Sequence, residues 1–101
     1  MTEIEVKRES IIRKGEAGTI VLGLPETANP KSLSIDVPQG VTSTSGSQIF
    51  LSGGTVTVDI PLFVSKGASD IIPLKFCLSE INQIKKDVVQ YSKDFQLKIE
   101  K

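Results

Sequence analysis

Residues 52–67, SGGTVTVDIPLFVSKG, set the terms for the whole chain. Val56, Val58, Ile60, Leu62 and Val64 are apolar at every second position, with Thr55, Thr57 and Asp59 between them. A period of two is the signature of a strand with one buried face, because successive side chains leave a strand on opposite sides. Pro61 and Phe63 break the polar series on the outer parity. Proline cannot donate to a β-ladder, so it belongs at an edge or a bulge. A bulge at Pro61 would shift the pairing by one residue and turn Phe63 inward, and this is the simpler expectation. A regular strand would instead leave Phe63 outside, available to a neighbouring domain or a partner.

The same alternation recurs along the chain. EIEVKRE (3–9) turns Ile4 and Val6 one way, TIVLGL (19–24) offers Ile20, Leu22 and Leu24, and SLSIDV (32–37) offers Leu33, Ile35 and Val37. IIPLKFCLS (71–79) places Ile72, Leu74, Phe76 and Leu78 on one parity, and DFQLKIEK ends the chain with Phe95, Leu97 and Ile99. KGEAG, PETANP, PQG, SGG and SKGASD supply the turns. VTSTSGSQIFL (41–51) reads as one polar, edge-like segment. In residues 80–91, Ile81, Ile84, Val88 and Tyr91 have helical spacing and Ser79 is a possible cap. A hairpin turning around residues 81–83 agrees better with the surrounding strands.

Twelve Ile, nine Val and seven Thr against three Ala support the strand reading. A chain of 101 residues buries one core, so residues 1–101 are expected to form a single domain. Seven to eight short strands without a helix-rich insert predict an all-β fold, an antiparallel sandwich with a small barrel as runner-up. Leu22, Ile35, Val58, Ile60, Leu74, Phe76 and Leu97 are its expected core.

RKGEAGTIVLGL, SIDVPQGV, LSGGTVTVDIPLFVSKGASDIIPLKF and the closing hairpin together resemble the immunoglobulin-like modules of prokaryotic, especially archaeal, surface proteins, among them adhesion-type and S-layer-associated repeats. The resemblance spans roughly residues 4–100 and rests on turn glycines and core alternation. It implies an immunoglobulin-like antiparallel β-sandwich of seven to eight strands and an extracellular or envelope setting. The chain departs from that pattern at FCLSE, where such modules often carry an aromatic, and it has no Cys–Trp–Cys framework.

The composition excludes more than it selects. The net charge is zero, from 12 basic and 12 acidic residues, and Lys85-Lys86 is followed at once by Asp87, so a nucleic-acid footprint is missing. No apolar run approaches the ~20 residues of a helical membrane span, and MTEIEVKRES has no apolar core of a signal peptide. The start of the chain on a strand-like segment fits a domain cut from a longer protein. There is no histidine, which removes the usual general base and metal ligand. Cys77 has only Lys75 near it on the same parity, the acidic residues are scattered, and SGGTV lacks the lysine of a phosphate loop. No enzymatic activity, cofactor or metal is therefore expected. With no Trp and one Tyr, carbohydrate binding is disfavoured.

Surfaces remain. Pro61, Phe63, Ile71 and Pro73 are apolar on the outer parity and form the candidate partner face. The expected function is a non-catalytic structural or protein-interaction module of a larger extracellular or envelope-associated protein, contacting a protein partner or neighbouring domain. The alternative is a cytoplasmic regulatory or assembly domain that binds a partner chain through a sheet edge or exposed face.

Overall fold

The computed structural model describes residues 3–10, 12–25, 29–82, 84 and 87–100. Among them are eight strands and no helix: β1 (Glu5–Glu9), β2 (Ala17–Gly23), β3 (Lys31–Asp36), β4 (Val41–Ser43), β5 (Gln48–Leu51), β6 (Thr57–Val64), β7 (Ile71–Asn82) and β8 (Asp87–Lys98). They form two four-stranded antiparallel sheets, ordered β1-β2-β6-β4 and β5-β3-β7-β8. Residues 80–91 are the end of a hairpin, with Ile81 opposite Val88 and Asn82 opposite Asp87.

The alternation chooses the inner faces. Ile20, Leu22, Ile60, Leu62 and Val64 of the first sheet meet Leu33, Ile35, Ile72, Leu74, Phe76, Leu78 and Leu97 of the second, all buried. Of the expected core, Val58 alone is half-buried and packs at its margin. Ile12 joins the core from outside the strands. A Cβ at Gly18 would overlap the Ile12 side chain, so a glycine is what lets Ile12 enter. Behind Ile12, Arg13 bridges Glu100 in parallel and the Glu100 N–H donates to the Ile12 carbonyl at 2.9 Å.

Two expectations change. First, there is no bulge at Pro61. The β2–β6 register runs unbroken from Gly23–Thr57 to Ala17–Phe63, with Pro61 opposite Thr19. Phe63 therefore lies on the outer face, 45% exposed, opposite Ala17 on one side and Thr42 on the other. Pro61 is tolerated because its backbone faces β4. Its carbonyl accepts from the Thr44 N–H (3.0 Å) and hydroxyl (3.2 Å), and the missing N–H falls where β4 ends, at Ser43. The proline shortens an edge strand and leaves the central ladder whole. The bulge sits in β1 instead, between Val6 and Arg8.

Second, residues 41–51 are not one segment. β4 pairs with β6 in the first sheet and β5 pairs with β3 in the second, so the chain changes sheets between them. Gly46, at φ 91°, makes that corner in a left-handed conformation that few residues other than glycine adopt readily.

The hairpin β7–β8 is the longest element, twelve residues on each side. β3 accompanies β7 only from Lys75 to Glu80, so the last rungs continue as a two-stranded ribbon. Where the core ends, Lys31 and Glu80 face each other across β3 and β7, both buried. The Asn29 side-chain amide donates to the Glu80 carboxylate at 2.7 Å.

Candidate interaction surface

The four residues marked in the sequence fall on opposite sides of the molecule. Pro61 and Phe63 are neighbours on the outer face of the first sheet. Ile71 and Pro73 are exposed at the far end of β7, on the outer face of the second sheet. Pro73 lies beyond the end of β3, where β8 is its partner strand. The structure does not bring these pairs together.

Other apolar residues are exposed as well, some of them more fully. Ile84, in the turn of the long hairpin, is 94% exposed, and Val88 and Val89 stand exposed on the ribbon behind it. Phe50 on β5 is 78% exposed. Sequence reasoning missed them although a signal was present. In a strand with one buried face, consecutive apolar residues cannot all point inward. IFL (49–51) and VV (88–89) each force one residue out. Phe50 and Val88 share the outer face of the second sheet, on its two edge strands. Between them lie Ser32 and Ser79, in one row with Phe50 and Gln90.

That face carries few functional groups. Asp36, Lys75 and Asp94 stand in register across β3, β7 and β8, a ladder of alternating charge of the kind that stabilises sheet surfaces. They border an open depression of about 680 Å³ with Pro38, Pro73 and Phe95. Cys77, a half-buried free thiol, lies between Ser34 and Ser92. Among the described residues no three His, Cys, Asp or Glu side chains come close enough to hold a metal ion, and no helix is long and apolar enough to cross a membrane.

The edges differ in kind. β1 is bulged and carries Glu5, Lys7, Arg8 and Glu9. β4 has three residues and meets Pro61, and β5 has four. β8 is twelve residues long, contains no proline, and keeps an unbroken register with β7. Among the described residues its outer edge is flanked only towards the end, where Glu9 and Ser10 line a depression with residues 95–98.

A solved structure of a FixG-related protein from Vibrio parahaemolyticus is similar to this chain, with a TM-score of 0.51 over 91% of this chain and 92% of that one. Sequence identity is 16%. What the two share is the fold. No family model matches the sequence, and no curated protein does.

Proposed function

We propose that this chain is a non-catalytic contact module, an immunoglobulin-like sandwich that serves a larger extracellular or envelope-associated protein by spacing and by protein contact. The strand order supports the immunoglobulin-like part. In that class the second and fifth strands pair in one sheet and the third and sixth in the other. Here β2 pairs with β6 and β3 with β7, with β1 and β4 outside the first pair and β5 and β8 outside the second. One departure stands out: the edge strand beside β6 precedes the edge strand beside β3 in the chain.

The protruding end of the β7–β8 hairpin carries the contact reading. A two-stranded ribbon is marginal in water, and exposed Ile84, Val88 and Val89 do nothing to improve it in an isolated domain. Apolar side chains held clear of the body are what a partner can cover. The likeness to the FixG-related protein adds the fold and no ligand. A second reading, a cytoplasmic assembly domain that adds a partner strand, draws on the open edge of β8.

Site-specific photo-cross-linking tests the contact reading. A photoreactive residue at Ile84, introduced into the full-length parent protein in its own cell, is expected to give discrete adducts, and one at exposed Thr57 is not. Equal labelling from both positions, or none from either, would refute it.

A further inference from the structure

We propose that the partner of the ribbon is a second copy of this chain, joined edge to edge through antiparallel pairing of residues 87–93 of β8 into one continuous sheet across the dimer. The proposal rests on the reading of the hairpin as a contact element and names what it contacts.

Three observations lead to it. First, among the described residues β8 is the one sheet edge that is long, unbulged and free of proline: the other three are bulged and charged, very short, or cut by proline. Second, the free length of that edge is limited. Towards its end Glu9 and Ser10 flank it, and Glu100 is already bonded to Ile12. Residues 87–93 are left, the part that carries exposed Val88 and Val89.

Third, this stretch is self-complementary. A two-fold axis normal to the sheet keeps inner positions opposite inner positions, so the pairing must centre on a residue. Centred on Gln90, it places Val89 opposite Tyr91, Val88 opposite Ser92 and Asp87 opposite Lys93, each pair occurring twice. Val–Tyr and Asp–Lys are favourable cross-strand pairs. Lys93 is the informative position. It lies on the inner parity, opposite Phe76, and an inward charge on an edge strand ordinarily blocks sheet extension. In this register each Lys93 meets a carboxylate position, so what repels a general partner accepts this one. The competing centre, Gln96, would set Lys98 against Asp94 and Leu97 against Phe95, and falls where the edge already shares a depression with Glu9 and Ser10 and runs into the Glu100–Ile12 bond.

Seven residues of pairing bury less than a standard interface, so the affinity is modest, with a Kd between about 1 μM and 1 mM. Sedimentation velocity over that concentration range is expected to move the chain from monomer to dimer. Lys93→Asp sets acidic residues opposite one another at two places and should weaken the dimer by about ten-fold or more. The Asp87→Lys/Lys93→Asp double variant exchanges the charges and should restore it. In a Cys77→Ser background, Gln90→Cys should form an intermolecular disulfide on mild oxidation, and Gln96→Cys should not.

A wild-type chain that stays monomeric throughout overturns the proposal. If the Ile84 cross-links to other proteins persist in that case, the contact reading survives and this one falls. A dimer indifferent to Lys93→Asp, or one that cross-links from residue 96 and not from residue 90, also overturns it. Circular dichroism and melting of each variant separate loss of pairing from loss of fold.

Discussion

Phe76 and Phe63, on consecutive strands of the two different sheets, differ widely in consequence. Phe76 is wholly buried between the sheets, opposite Ile35 on β3. Phe76→Ala is expected to cost about 3–5 kcal/mol, the usual range for truncating a large core side chain. Phe63 faces outward beside Ala17 and Thr42, so Phe63→Ser should change stability by at most about 1 kcal/mol. Urea unfolding of both variants measures the contrast. A Phe63→Ser loss as large as that of Phe76→Ala would contradict the regular register of β6. Gly18 offers a third test. A side chain there collides with Ile12, which is itself in the core, so Gly18→Val should destabilise by about 1–3 kcal/mol through overpacking. Gly54, at φ 84° with open space around its missing Cβ, should respond through backbone strain alone.

At the scale of elements, Pro61 is a length control for β4. The Thr44 N–H and hydroxyl already reach the Pro61 carbonyl, and what is missing is the return donor. Pro61→Val supplies it. Amide exchange is expected to show a protected new amide at residue 61 and slower exchange around Thr44, with stability unchanged or raised by up to about 1 kcal/mol. A loss of stability would mean that the proline's fixed φ matters more than the ladder. The β7–β8 hairpin presents the opposite case, strands that outrun their neighbours. Among the described residues no third strand accompanies its amides beyond Glu80, so protection should fall along the ribbon towards Ile84.

For the whole molecule, the pairing that closes each sheet joins distant parts of the chain. Ala17 pairs with Phe63, and Lys31 with Glu80. Such non-local pairing makes folding slow, because loop closure must come before the contacts that reward it. Stopped-flow refolding is expected on a timescale of roughly milliseconds to seconds, as one cooperative transition. Microsecond folding would argue that the hairpin forms a stable unit on its own. The polar closure of the core belongs to this scale too. Glu80 accepts from the Asn29 side-chain amide beside buried Lys31, so Glu80→Ala should lower stability by about 1–3 kcal/mol by removing that acceptor.

The sequence by itself determined which residues face inward along each strand. Alternation is a local property of the pleat, and a buried face must be apolar wherever the strand lies. It also marked the turns, through glycine and proline, and made a two-sheet packing the natural way to bury several one-sided strands. Tertiary structure decided what depends on neighbours. Whether Pro61 makes a bulge turns on which strand its backbone faces, and β4 is not adjacent to it in the chain. The split of residues 41–51 between two sheets follows from the separate edges offered by β6 and β3. The helical spacing of Ile81, Ile84, Val88 and Tyr91 yields to a hairpin because β7 pairs with β8 along its whole length and bonds the backbone groups on the side of β8 that faces it. Val88 is turned out by the alternation itself, whereas Ile84 and Val89 are exposed because the hairpin outruns β3, which stops opposite Glu80, and nothing within residues 81–91 records where another strand will end.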